Sequence, residues 1–326
     1  MYLKNIQVGG GQAMVIDSAG QNQCWGKFMG QVISVDLGGT WMRAALVSSE
    51  GTCAEVVRVR TDHHRPGKAI LADLLGIIDD IRSRNPGASA DIKAVVSGIP
   101  TTLDEGGGLA PSENLPTLTG FPLARHLEQA LHLPVMLLND ANCFTMGEWW
   151  QGMGKGARNF CGVTLGTGIG MGLVFAGKLY QGSHGCAGEI WKSPWETGRL
   201  EQRACGQALE AAYEANSGNR LSGEDVARLA EQGDACAVKC YVEFGTALGR
   251  ILAFVINLID PEAVAIGGAM AASFAFFRES LMEAVMDGTV AGMRVRVAPS
   301  LLGERAALLG AGKIYWDRRE SNDKET

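Results

Sequence analysis

Asp140, in "LLNDAN", follows directly on an apolar run and has Asn139 before it. A carboxylate at such a strand end can cap the helix that follows, which is the common structural role. It can also serve as a general base, taking the proton of a substrate hydroxyl that the neighbouring amide orients. Two glycine-rich turns carry a second kind of chemistry. Gly38, Gly39 and Thr40 follow the run "VISVDL", and Gly166, Thr167, Gly168 and Gly170 follow or flank the end of "CGVTL". Glycines let backbone N–H groups approach a phosphate without Cβ obstruction, and Thr40 adds a hydroxyl donor. Asp36, at the end of the first run, is placed to hold a magnesium ion through water. Either turn alone reads most simply as a hairpin turn. Neither fits a P-loop or a strand-to-helix dinucleotide fingerprint. Two such turns in corresponding places point instead to a cleft that grips a triphosphate from both sides. Phosphoryl transfer asks for this combination of held phosphates, metal and one base.

A further stretch, "GEIWKSPWETGRLEQRACG" over residues 188–206, reads as the rim of a small-molecule site. Glu189 and Glu201 stand twelve residues apart with Trp191, Lys192, Pro194 and Trp195 between them, and no histidine or cysteine intervenes. The tryptophans can stack on a sugar ring or fill the loop, and filling is the commoner use of such aromatics.

These residues need elements to position them. "QVISVDLGG" predicts a short strand ended by glycines, and "WMRAALVSSEG" the returning strand of a hairpin. Apolar positions 70, 71, 74, 75, 77, 78 and 81 keep helical spacing over Lys68–Arg82. "KAVVSGIP" and "PVMLLND" predict buried strands, with the amphipathic helix "PLARHLEQALHL" between them. "CGVTLGTGIGMGLVFAGKLY" repeats the opening theme of strand, glycine turn and strand, which suggests two related domains. The long, nearly all-round apolar "AVKCYVEFGTALGRILAFVINLI" predicts a helix buried at a core or interface. "EAVAIGGAM" and "RVRVAPS" predict the last strands, and "GERAALLGAGKIYW" the last helix. Alternation of strands and helices makes the class α/β.

Composition bounds the function classes. A chain of 326 residues is long enough for two domains or one large one. With 46% hydrophobic and only 20% charged residues it describes a compact soluble protein. A net charge of −6 argues against a polyanion-binding surface, so no nucleic acid is expected. No apolar run is expected to reach the roughly 20 residues a membrane helix needs. Residues 1–30 lack a signal-peptide core and read as a floppy extension. Eight cysteines occur singly, which fits buried thiols in a reducing cytoplasm, and Cys236 with Cys240 makes a poor zinc site.

The segments "VDLGGT", "SGIP", "ENLP", "LLNDAN", "TLGTGIGMGLVFAGKLYQG", "GCAGEI" and "AVAIGGAM" follow one another as in the ROK family of sugar kinases. The chain resembles that family from about residue 31 to residue 315, most of all its bacterial glucokinases. The resemblance implies a two-domain, actin-like and hexokinase-like (ribonuclease H-like) ATPase fold with an interdomain cleft. The N-terminal extension would be 1–30, the smaller domain 31–138 with about 312–326, and the larger domain 139–311. It implies ATP with Mg2+ and transfer of the γ-phosphoryl group to a hexose, usually at the 6-hydroxyl, as in glycolysis. Asp140 then matches the catalytic base and Asn139 a sugar ligand. Asn114 falls in a sugar-contacting segment, and Glu189 matches a glutamate that binds ring hydroxyls. Gly38, Gly39 and Thr40 match the first phosphate motif, Gly166, Thr167 and Gly168 the second, and Gly267 with Gly268 the adenosine-side turn.

The loop departs from the family pattern. The family's histidine, which binds a structural zinc with three cysteines and also touches the sugar, is replaced by Lys192. The cysteine cluster is absent and the segment is shorter, so no zinc is expected. "GRLE" stands where the family has "GCLE", so Glu201 keeps the position of the second sugar-binding glutamate. Lys192 either faces the cleft, paired with Glu189 or Glu201, or points to solvent. The first expectation is a glucose kinase, cytoplasmic and homodimeric through the second domain. N-acetylmannosamine, N-acetylglucosamine, fructose and allose stay open as substrates. The alternatives are a sugar-binding ROK regulator, which would need a DNA-reading helix before the first strand, and a catalytically inactive sugar sensor.

Overall fold

A computed structural model of the chain describes residues 14–16, 22–24, 30–87, 91–103, 106–195 and 197–325. The floppy extension expected over residues 1–30 lies outside the described residues, except Gly30 and the antiparallel backbone pairing of β1 (Met14–Ile16) with β2 (Asn22–Cys24).

The internal echo of the sequence is an echo of topology. One five-stranded sheet runs β5 (Val57–Arg60), β4 (Trp41–Ser48), β3 (Gln31–Leu37), β6 (Ile92–Ile99) and β7 (Val135–Asn139). The second runs β10 (Lys178–Leu179), β9 (Ile169–Phe175), β8 (Phe160–Leu165), β11 (Ala263–Gly267) and β12 (Arg296–Pro299). In each, a glycine-cornered antiparallel hairpin supplies two strands, and two parallel strands follow beside its first member. The central strands are buried on both faces, which explains their near-continuous apolar runs.

Helices fill the layers outside and between the sheets. α1 (Gly67–Arg84) turns Ile70, Leu74, Ile77, Ile78 and Ile81 onto one face of the first sheet, at the spacing read from the sequence. Burying each such side chain stabilises by about 1.5–3 kcal/mol relative to exposure. α2 (Leu123–Leu131) adds Leu123, Leu127 and Leu131 to the same layer. α3 (Asp140–Gln151) and α8 (Arg305–Glu325) lie between the sheets, α8 on β3, β4 and β6, and α3 on β8 and β9. Where they cross, each places a glycine against the other's backbone: Gly147 on the Ala306 carbonyl and Gly310 on the Cys143 carbonyl. A Cβ at either position would overlap that oxygen. The buried Glu148 at the end of α3 is satisfied by the N–H groups of Met153 and Leu302, each at 2.9 Å, and by the Ser300 hydroxyl.

α4 (Gly206–Ser217), α5 (Gly223–Glu231), α6 (Ala235–Ile259) and α7 (Phe274–Gly288) cover the outer side of the second sheet. One expectation about α6 needs correction. By length and composition it is apolar enough to cross a membrane, although no such run was expected. Burial against a core, expected of so apolar a run, holds along part of the helix. One face packs on α7 and the sheet core through Tyr241, Phe244, Leu248, Ile251 and Leu252, while Val238, Val242, Phe254 and Leu258 are exposed. Lys239, Glu243 and Arg250 break the apolar run, so the helix is one of mixed face. Asp234 caps its first turn by accepting from Ala237 N–H at 2.8 Å, and Asp260 ends it in the left-handed region.

Candidate functional site

The candidate residues gather where strands of both sheets end. Asp36, Gly98 and Asn139 close three neighbouring parallel strands, and Gly267 lies opposite Thr164 at the ends of β11 and β8. Open α/β sheets bind ligands outside the carboxyl ends of their strands.

The β3–β4 turn is tight, with Gly38 N–H donating to Trp41 O at 3.0 Å. Thr61 Oγ1 donates to Gly38 O at 2.7 Å, and His63 Nδ1 donates to Gly39 O at 3.0 Å, so that ring nitrogen carries the proton. Thr40 is left exposed at the corner. Asn114 reaches this turn through its backbone: a Cβ on Gly39 would stand 2.6 Å from the Asn114 carbonyl oxygen. Asp36 accepts from Arg43 Nη1 at 3.1 Å, and Arg43 Nη2 donates to Glu304 at 3.3 Å. Burial raises the Asp36 carboxyl above its usual range, against the pull of Arg43.

The β7–α3 junction separates two roles that the sequence left together. The cap is Asn139, whose Oδ1 accepts from Asn142 N–H at 2.9 Å, and not Asp140. Asp140 is therefore free of capping duty as the first helical residue. Its Oδ1 accepts from its neighbour Ala141 N–H, at 2.8 Å. Burial, then the charges of Asp36 and Glu189, push its carboxyl up to about 7, against that hydrogen bond. A base of this kind is half ionised near neutrality. Turnover that needs ionised Asp140 is expected to rise with pH through about 7 and level off above it, measured as kcat/KM against pH.

Glu189 reaches the same place from the opposite sheet. Gly188 lies at φ +88°, and a Cβ on it would overlap the Met171 carbonyl, so only glycine lets this segment lie on β9. Asn139 Nδ2 donates to Glu189 Oε1 at 3.2 Å, and Trp191 Nε1 donates to Oε2 at 2.6 Å. The structure thus brings together Asp36, Asn139, Asp140 and Glu189. Trp191, read from sequence as a loop-filling or ring-stacking residue, is a direct partner of one of them. Lys192 takes the solvent-facing of its two orientations. It is exposed and stands over the Trp191 ring, 5.0 Å from the centroid, and forms no ion pair with Glu189 or Glu201 among the described contacts. An exposed cation–π contact is worth about 0.5–1 kcal/mol, so Lys192→Ala is expected to shift ligand affinity less than about fivefold. A larger loss in the variant's KM would place the ammonium on the ligand.

The rest of the loop is a short hairpin. Trp195 N–H donates to Gly198 O at 3.0 Å, Leu200 N–H donates to Ser193 O at 2.9 Å, and Pro194 bridges Arg199. This return delivers Glu201 to the second glycine turn, where its Oε1 accepts from Ile169 N–H at 3.2 Å. Burial leads in raising its carboxyl, and Glu113 adds to the rise. Glu201 is thus held on the Gly166–Gly168 turn. That turn is closed by Gly166 N–H to Gly168 O at 2.9 Å and tied to α4 by Gly206 N–H to Gly166 O at 2.8 Å, with Thr167 exposed. Gly268, at φ +79°, lies against the Leu165 carbonyl, which sets the Gly267–Gly268 turn beside it. A cavity of about 240 Å³ lies between Trp195, Arg203 and Val242, and Asp36, Asn139, Asp140, Glu189 and Glu201 do not line it. Among the described residues, no three His, Cys, Asp or Glu side chains are grouped to hold a metal ion.

Known proteins are similar to this chain in sequence and in fold. A glucokinase of Thermotoga maritima is 31% identical over 88% of this chain and 98% of its own. An N-acetyl-D-glucosamine kinase of Vibrio cholerae is 29% identical over 72% of this chain and 83% of its own. A ROK family glucokinase of Streptomyces griseus, solved with glucose and AMPPNP, superposes with a TM-score of 0.72 at 27% identity, covering 87% of this chain and 99% of that one. The α/β class and the actin-like, hexokinase-like architecture are thus those of solved relatives. The ROK family pattern itself matches residues 32–318, nearly the whole of both sheets and their helices. The chain belongs to the ROK family.

Proposed function

We propose that the protein is an ATP-dependent sugar kinase that phosphorylates a hexose, glucose first, at its 6-hydroxyl. The observation that carries this reading is Asp140, a carboxyl poised near 7 at a strand end, beside Asn139 and Glu189 and within the field of Asp36. In this reading Asp140 takes the proton of the attacking hydroxyl as it bonds to the γ-phosphorus. Asn139, Glu189 and Asn114 hold the ring hydroxyls, and Glu201 joins them on leaving the Ile169 N–H. The turns at Gly38–Thr40 and Gly166–Gly168 offer N–H and hydroxyl donors to the phosphates, and Gly267 with Gly268 borders the adenosine. A magnesium ion fits the donors present. Asp36 and Asp140 concentrate negative charge, the ligands are oxygens, and Mg2+ needs only one or two carboxylates besides water and phosphate. Asp36 would hold it, and the ion would neutralise charge on the transferred group.

The two sheets then form the walls of a cleft between residues 31–138 with the C-terminal helix and residues 139–311. Assigning the C-terminal segment, from about residue 312, to the first half is supported by the packing of α8 on β3, β4 and β6. A homodimer through the second half is supported by Phe254 and Leu258 on α6 with Met286 and Val290 near α7, all strongly exposed. A cytoplasmic place is supported by seven cysteines that are all free thiols among the described residues. The test is ADP release with ATP and Mg2+ across glucose, N-acetylglucosamine, N-acetylmannosamine, fructose, mannose and allose. The reading expects release that depends on one sugar, with glucose ahead. Release indifferent to every sugar would contradict it.

A further inference from the structure

We infer that Trp191 is a positioning residue that fixes the Glu189 carboxylate and thereby restricts which ring groups the site accepts. The inference rests on the sugar-kinase reading for its ligand and on geometry for everything else. Each oxygen of Glu189 already accepts one N–H, Oε1 from Asn139 at 3.2 Å and Oε2 from Trp191 at 2.6 Å. Two donors from different elements, α3's cap and the turn Ile190–Lys192, hold the carboxylate plane against rotation. The shorter bond is the indole's.

The indole is itself held. Trp191 and Ile190 pack on the apolar core of the second sheet, and the preceding segment lies on β9. Lys192 stands over the ring at 5.0 Å, and a cation on that face draws electron density from the indole and makes its N–H a stronger donor. Lys192 thus acts on Glu189 through Trp191 without touching it.

A consequence for the ligand follows from donor counting. Glu189 is acceptor-only while ionised, and each oxygen has lone-pair capacity left for one outside donor. A ring presenting two donors there, either two adjacent hydroxyls or a hydroxyl and an amide N–H, satisfies both oxygens. A ring lacking one of them leaves a recessed lone pair unpaired, a loss that polar sites discriminate strongly. Deoxy and O-methyl sugars at these positions should therefore be rejected more sharply than sugars altered elsewhere.

The experiment separates this inference from the reading it rests on. In ligand-free protein, the indole N–H cross-peak that disappears in Trp191→Phe is followed by 1H–15N spectroscopy in wild type and in Glu189→Ala. The inference expects that peak to lie downfield in wild type and to move upfield in Glu189→Ala; an unmoved peak would overturn it. With the preferred hexose, Trp191→Phe is expected to raise hexose KM about tenfold, equivalent to ~1.4 kcal/mol, with ATP KM little changed. Unchanged hexose KM, or hexose and ATP KM rising together, would reduce Trp191 to loop packing. If wild type phosphorylates no hexose while the peak still responds to Glu189, the kinase reading falls and the Trp191–Glu189 coupling stands.

Discussion

Asp140→Asn is expected to lower turnover by on the order of 10²–10⁴-fold while nucleotide binding is little changed. The variant keeps the shape of the side chain and can still accept from Ala141 N–H, so the β7–α3 junction and the Asn139 cap stay in place. What it loses is the capacity to take a proton. The same change is expected to act in the opposite direction on stability. The Asp140 carboxyl rises from 3.8 to about 7 on folding, so between those values the native state binds a proton that the unfolded state does not. Its contribution to stability is fully present below about 4 and is lost as pH rises through about 7. Each unit of such a shift corresponds to ~1.4 kcal/mol, lessened here by partial solvent contact. The amide that replaces the carboxylate carries no charge to bury. Melting temperature should therefore be higher in Asp140→Asn by a few degrees at pH 8, with the gap narrowing as pH falls and closing below about pH 4. Near-wild-type phosphorylation by the variant would remove Asp140 from the mechanism, and a lower melting temperature at pH 8 would contradict the burial argument.

Gly310→Ala is expected to destabilise the protein by about 2 kcal/mol or more, against the usual direction of that substitution. In an ordinary helix interior, alanine is favoured over glycine by ~1 kcal/mol. At the α3–α8 crossing the added methyl would overlap the Cys143 carbonyl oxygen, and the obstacle is backbone, which no rotamer change removes. Either the helices separate or one tilts. Both helices carry the site, because α3 begins at Asp140 and α8 covers the sheet that ends in Asp36. The expected result is a lower denaturant midpoint with an unchanged slope, accompanied by reduced turnover. A midpoint at or above wild type would mean that the crossing has slack.

Several of these features are legible in the sequence. The two hairpins are, because glycine after an apolar run marks a turn whatever its tertiary setting, and their recurrence foretells the matching strand order of the two sheets. The spacing of Ile70, Leu74, Ile77, Ile78 and Ile81 also suffices to place α1. The edge strands β5 and β10 escape notice, since four and two residues carry too little periodicity. Adjacent residues at one strand end cannot be told apart by type alone, which is why the sequence does not reveal that the cap is Asn139 and not Asp140. The direction of Lys192 and the bond from Trp191 to Glu189 depend on how the 3-10 turn Ile190–Lys192 rotates its side chains, and no pattern in "GEIWKS" encodes that rotation. Glu201 likewise stands on the Ile169 N–H because of where the hairpin at Pro194–Arg199 returns. The exposed face of α6 is hidden in an apolar run whose charged interruptions are few.

The central claim is that this site moves the γ-phosphoryl group of ATP onto a sugar hydroxyl. The most direct measurement is 31P NMR of the protein incubated with ATP, Mg2+ and glucose. The account predicts a phosphomonoester resonance coupled to the sugar's C6 protons, growing in step with ADP and missing from the Asp140→Asn reaction. Inorganic phosphate as the only new signal, or a sugar phosphate formed equally well by Asp140→Asn, would contradict it.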